Sequence, residues 1–142
     1  MTGDVPDRLS SSEPDESLID QLIMSACDVR KRAYAPYSNF SVGAALASVG
    51  GEIFLGCNIE NASYGATICA ERVAAGTARC AGTTDWSVLV IATEGGVPPC
   101  GICRQFLSEF RPSLPLVLYD AEHGTHRHVK LDEIFPTPFQ TP

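Results

Sequence analysis

Apolar residues first recur at helical spacing between residues 16 and 33. Leu18, Leu22, Ile23, Ala26, Val29 and Ala33 form one stripe, and Asp15 stands where a helix wants its N-cap. This predicts a core-facing helix. Ala35-Pro36-Tyr37-Ser38 interrupts it as a turn. The period then changes to two. Residues 40–48 alternate around Val42, Ala44 and Leu46, Gly50-Gly51 supplies a hairpin turn, and 52–57 reads as the returning strand. Residues 58–66 are polar with one glycine and predict a loop. A small-residue helix follows over 67–81, ended by Gly82. Residues 88–92 are continuously apolar, which predicts a central strand over 87–93. After a Gly/Pro loop at 95–99, a helix over 100–110 stops before Pro112. A buried strand at 116–119, a further strand at 126–130 and a short helix at 131–135 complete the chain. The order is helix, hairpin, helix, strand, helix, strand. It predicts an α/β sandwich, a mixed sheet with helices on both faces.

Composition narrows the function classes. At 142 residues the chain predicts one domain, and its 44% apolar residues suffice for an ordinary core. Residues 1–15, rich in Ser, Asp, Glu and Pro, predict a disordered acidic tail ahead of a catalytic domain at 16–142. The net charge of −7 argues against a nucleic-acid partner, which needs a basic stripe. No run of 18 apolar residues exists, so no membrane span is expected. Residues 1–17 lack the basic start and apolar run of a secretory signal. A cytoplasmic chain with six reduced cysteines is therefore expected.

Three of those cysteines carry the chemistry. Cys69-Ala70-Glu71 is followed by Pro99-Cys100-Gly101-Ile102-Cys103. Cys69, Cys100 and Cys103 offer three thiolate ligands for one Zn2+ per chain, with the Glu71 carboxylate two residues after the first. Structural zinc sites are closed by four protein ligands, whereas catalytic ones leave a position open for water. Three thiolates beside an acid thus predict hydrolysis, with the metal raising the acidity of water and Glu71 moving protons. The rival is a structural zinc site closed by Cys80, Cys57 or one of His123, His126 and His128. Zinc fingers pair both halves at short spacing, which disfavours it. Cys27, Cys57 and Cys80 read as small apolar residues. His126 and His128 would share one face of a strand. No Cys or carboxylate stands at ligand spacing beside them, so they read as surface residues.

With these motifs in view, the chain resembles the cytidine deaminases of the small homotetrameric, zinc-dependent type. The resemblance runs over residues 18–139. It is carried by Ala35-Pro36-Tyr37-Ser38-Asn39-Phe40-Ser41-Val42-Gly43-Ala44-Ala45-Leu46, Asn58-Ile59-Glu60-Asn61-Ala62-Ser63-Tyr64-Gly65, Cys69-Ala70-Glu71-Arg72 and Pro99-Cys100-Gly101-Ile102-Cys103-Arg104-Gln105. It implies a three-layer α/β/α sandwich around a five-stranded mixed sheet. It implies hydrolysis of cytidine and 2′-deoxycytidine to uridine and 2′-deoxyuridine plus ammonia, as in pyrimidine salvage. It implies that Asn58 and Glu60 bind the ribose and that Phe40 packs on the nucleoside. Ala62 and Tyr64 would reach a neighbouring subunit's site, and Phe139 would lie against the base bound by another subunit. Three thiolates leave a divalent zinc at a formal −1, and Arg72 would offset that charge through the ligand sulfurs. The alternatives are a deaminase of another cytosine nucleoside, such as blasticidin S, and a non-catalytic zinc-binding module.

Overall fold

The computed structural model describes residues 13–142. The tail predicted over residues 1–15 falls largely outside this range. The first helix, α1, spans Glu16–Arg30, and the Asp15 side chain accepts from the Ser17 N–H as its N-cap. It ends short of residue 33, and it buries Ile19 with Leu22 and Ala26, while Val29 and Ala33 stay half-buried. The hairpin strands are β1 (Gly43–Ser48) and β2 (Ile53–Cys57). Then come α2 (Ala70–Cys80), β3 (Trp86–Thr93), α3 (Gly101–Phe110), β4 (Pro115–Asp120), β5 (Thr125–Lys130) and α4 (Leu131–Ile134). The predicted loop at 58–66 holds a 3-10 turn at its end, Tyr64–Ala66.

The five strands form one sheet in the order β2-β1-β3-β4-β5. Only β3 and β4 run parallel; every other neighbouring pair is antiparallel. This is the expected mixed sheet. Strand alternation divides the core into two layers. Ala45, Ala47, Val88, Val90, Ala92 and Val117 meet Ile19, Leu22 and Ala26 of α1. Ala44, Leu46, Leu89, Ile91, Leu116 and Leu118 meet the alanines of α2 and Leu107 of α3 on the other face. The α/β/α sandwich follows. β1 is consequently buried at all six positions, where an alternating pattern suggests one buried face. Phe40 and Val42 precede it instead of belonging to it. At the opposite extreme, β5 is an edge strand on which only Val129 is half-buried.

Two glycines set the distance between layers. A Cβ on Gly43 would stand 2.0 Å from the Ala26 carbonyl oxygen of α1. One on Gly56 would stand 2.3 Å from the Ala70 oxygen and 2.6 Å from the Ala74 nitrogen of α2. Backbone lies against backbone at both points, so neither neighbour can rotate away. Gly56→Ala is expected to push α2 off the sheet and lower stability by about 1–3 kcal/mol, the range of overpacked cores. Denaturant unfolding measures this, and a variant as stable as wild type would show that α2 yields freely there.

Candidate active site

Cys69 is the N-cap residue of α2, and Cys100 is the N-cap residue of α3. Neither thiol caps its own helix, so both are free to face a common point. Cys103, one turn into α3, is fully buried. The three Sγ atoms lie within 4.8 Å of one another, and those of Cys69 and Cys100 are 3.7 Å apart. Three sulfurs bound tetrahedrally at about 2.3 Å from one zinc stand about 3.8 Å apart. The spacing and the soft donors therefore fit zinc. Among the described residues no fourth Cys or His joins the group. Cys80 lies exposed at the far end of α2, and His123, His126 and His128 lie on or beside β5.

Glu71 sits in the first turn of α2 and is only 5% exposed. The Cys103 thiol donates towards its Oε2 at 3.8 Å. Burial pushes the Glu71 carboxyl up to about 7, and negative charge on Cys69 adds to the effect. Cys69 moves the other way, to about 5, chiefly because Cys103 donates to its sulfur, with Arg72 and Cys100 assisting. Cys103 is held far above the usual thiol range, first by that shared hydrogen bond, then by burial and the Glu71 charge. One thiolate is thus shared between sulfurs that cannot all ionise without a cation.

Arg72 Nη2 approaches Cys69 Sγ at 3.7 Å and the Thr67 carbonyl oxygen at 3.4 Å. Its Nε is buried with no hydrogen-bond partner. The guanidinium thus lies against the Cys69 sulfur.

Thr67 also lines an adjoining cleft of about 380 Å³, with Tyr37, Ser38, Glu60, Asn61 and Tyr64. Glu60 Oε1 accepts from the Tyr37 and Ser38 N–H groups, and Oε2 accepts from the Ser38 hydroxyl. These bonds lower the Glu60 pKa, the Ser38 side chain foremost. Tyr64, 76% exposed, meets Tyr37 edge-on with ring centroids 6.1 Å apart. Asn58 is buried, and its amide is committed to backbone: Nδ2 donates to the Phe40 oxygen and Oδ1 accepts from the Val42 N–H. Its demonstrable work is to fix Phe40, which packs on the core beside β1. Ala62 and Phe139 are exposed, and no hydrogen bond or ring contact among the described residues joins either to the thiols.

Several residues that organise the site gave no signal of that role in the sequence. Ser38 orders the Glu60 carboxylate, and Arg104 and Gln105 tie α3 to the chain's end. Asp120 is another, and it revises the reading of the histidines. Asp120, Glu122 and His123 do gather, so a carboxylate does stand near one of them. Asp120 Oδ1, however, already accepts from the N–H groups of Gly95, Glu122 and His123, and Oδ2 meets His123 Nδ1 at 2.8 Å. The carboxylate binds the β4–β5 turn to the loop that leads into Cys100. His126 and His128 do share a face, with rings 5.4 Å apart.

Two measurements check this geometry. Cys100→Ala should hold well under one zinc per chain and unfold at lower temperature, since zinc binding couples to folding; full zinc content by metal analysis would remove Cys100 from the ligand set. The Asp120–His123 pair raises the His123 pKa and lowers that of Asp120 to about 2. Its attraction is present where Asp120 is ionised and His123 protonated. It fades as pH rises through the elevated His123 pKa or falls towards 2. NMR titration should place His123 above an ordinary imidazole in wild type and return it in Asp120→Asn; equal titration curves in the two proteins would dissolve the pair.

Residues 16–118 match the family model described as the cytidine and deoxycytidylate deaminase zinc-binding region. The cytidine deaminase of Sporosarcina psychrophila is 46% identical over 124 residues, covering 85% of this chain and 90% of that one. That of Halalkalibacterium halodurans is 43% identical over 120 residues, 83% and 91% of the respective chains. The crystal structure of cytidine deaminase from Burkholderia pseudomallei superimposes with a TM-score of 0.80 at 42% identity, over 84% of this chain and 98% of that one. With its three thiols, buried acid and five-stranded sheet arranged in this way, the chain belongs to the cytidine and deoxycytidylate deaminase family.

Proposed function

We infer that this chain hydrolyses cytidine and 2′-deoxycytidine to uridine and 2′-deoxyuridine, releasing ammonia. The observation that carries the inference is Glu71: a carboxyl 5% exposed, beside three thiols spaced for zinc, in a chain of this family. Zinc bound by Cys69, Cys100 and Cys103 supplies the Lewis acidity that makes water a nucleophile at neutral pH.

The remaining work falls to the chain's own groups. A carboxyl raised to about 7 can both accept and donate a proton near neutrality. Glu71 takes a proton from the attacking water and delivers it to N3 of the cytosine ring as oxygen bonds to C4. It then carries the second water proton to the 4-amino group. The C4–N bond breaks, ammonia leaves, and C4 becomes a carbonyl. Arg72 offsets the third thiolate through its approach to Cys69 Sγ. The cleft beside Thr67 is the nucleoside site in this reading. Glu60 faces it with its carboxylate already oriented by Ser38, as a ribose hydroxyl acceptor requires. Asn58 supports the same site, with one amide hydrogen left after its bond to Phe40. Phe40 packs on the nucleoside.

The same reading makes the enzyme a cytoplasmic member of pyrimidine salvage. Six unpaired cysteines suit a reducing compartment, and no helix among the described residues is long and apolar enough to cross a membrane. It further makes the enzyme a homotetramer with shared sites. That assembly comes from the family resemblance; Tyr64 and Phe139, at 76% and 73% exposed, are accessible to a neighbouring copy.

Loss of absorbance with cytidine, against cytosine, CMP and blasticidin S, tests the assignment. Cytidine and deoxycytidine should turn over; turnover of blasticidin S alone, or of nothing, would reject it. Glu71→Gln should retain zinc and fold yet lose activity by about 10,000-fold, the upper end for a proton-transfer group, because it serves more than one step. A zinc-loaded Glu71→Gln enzyme with near-normal turnover would overturn the mechanism.

A further inference from the structure

The end of the chain is fastened to the helix that carries two of the thiols. Gln105 Nε2 donates to the Phe139 carbonyl oxygen at 3.0 Å, and the Phe139 N–H donates to Gln105 Oε1 at 3.0 Å. One carboxamide thus satisfies both backbone groups of one residue, as a neighbouring strand would. Five residues earlier, Arg104 Nη1 donates to the Ile134 oxygen at 3.0 Å, and its Nε donates to the Pro99 oxygen at 2.7 Å, immediately before Cys100. Segment 134–139 is therefore held at both ends by consecutive residues of α3. The clamp grips backbone only. The Phe139 ring is left 73% exposed, beside a helix face on which Ile102, one turn before Gln105, is 65% exposed.

The direction of that face matters. Gln105 lies two positions after Cys103, about 200° around a helix. Cys103 is fully buried on the inner face, and Gln105 is half-buried on the far side. Gln105, which holds Phe139, and Cys103 therefore project from different sides of α3.

We propose that Gln105, with Arg104, is a positioning residue that holds segment 134–139 so that the Phe139 ring is presented to the nucleoside site of a second copy of this chain. This rests on the deaminase reading above and adds to it the device that fixes the ring. A six-residue segment near the chain's end without such a clamp would sample many positions, and the ring would have to be ordered on each binding event. Reciprocal amide pairing removes that freedom beforehand.

Three variants and one mixing experiment test the proposal. Phe139→Ala should raise KM for cytidine by about fivefold to a hundredfold, the range for loss of one base–aromatic stack. Gln105→Leu, which loses donor and acceptor, should raise KM by several-fold with kcat within about twofold and zinc content unchanged. Gln105→Glu keeps the acceptor for the Phe139 N–H and should fall between it and wild type, which also guards against a misfolded Leu variant. The double variant Gln105→Leu/Phe139→Ala should match Phe139→Ala alone, because a clamp without its ring has nothing to position. Amide exchange in the C-terminal peptide should accelerate in Gln105→Leu. Mixing denatured and refolded Glu71→Gln and Phe139→Ala chains should restore low-KM sites, since each supplies what the other lacks. Unchanged KM in both Gln105 variants, additive KM effects in the double variant, or mixed chains that regain nothing would each overturn the proposal. Wild-type turnover of cytidine is read separately, so failure of the clamp leaves the deaminase assignment standing.

Discussion

Too much negative charge in too little space is the constraint on which this structure turns. Three sulfurs within 4.8 Å and a buried carboxyl cannot all ionise in a medium that screens charge weakly. Without a cation the cluster compromises: Cys69 holds the charge, Cys103 keeps its proton, and Glu71 rises to about 7. The Glu71 shift records burial first and the Cys69 charge after it, and the two cysteine shifts record one proton shared between sulfurs. The supporting architecture concentrates positive potential at the same point. Two helices begin there, and their N-terminal dipoles favour thiolate. Arg72 adds a full positive charge beside the Cys69 sulfur.

The fold explains how two helix starts can converge so closely. α2 presents Ala70, Ala74, Ala75 and Ala78 to the sheet, all fully buried. Small side chains alone would still leave an ordinary helix–sheet gap. Gly56 closes it, because β2 has no side chain where the Ala70 carbonyl presses against it. Close approach stabilises little in apolar area, since alanines bury few methylene groups. Its effect is positional: the first turn of α2 is clamped by backbone, so Cys69 and Glu71 inherit the rigidity of the sheet. Asp120 serves the other half of the site, anchoring the loop before Cys100 through the Gly95 N–H.

These contributions differ in how far the sequence reveals them. The three thiols that could hold a metal were legible because metal chemistry imposes short, fixed spacings, and Cys100-Gly101-Ile102-Cys103 keeps its spacing whatever surrounds it. The helices and the central strands were legible from periodicity, to within a few residues at their ends. β1 was harder. Its alternation suggested one buried face, yet alanine fills both, since Ala45 and Ala47 are small enough to take α1 against them. β5 carries almost no apolar signal, being an edge strand whose partner β4 supplies the backbone pairing. Asn58 read as a turn residue and a ribose ligand, and its bonds to Phe40 and Val42 appear only once the hairpin has folded. Asp120, Arg104 and Gln105 bind backbone groups 25 to 34 residues away. A hydrogen bond to a distant carbonyl leaves no local pattern, because any backbone would serve as its partner.

That contrast separates two kinds of specification in one site. Residues that touch the reaction must have a particular chemistry, so they are spelled out in residue type. Residues that place them need only reach a backbone group at the right point in space, so the fold specifies them. The charge-crowded cluster needs both kinds at once. Thiolates held together against their repulsion gain from rigid surroundings, because any loosening lets the sulfurs separate and weakens the field that binds the cation. The backbone contacts at Gly56 and Gly95 therefore hold the thiol cluster in place, although neither residue carries a thiol.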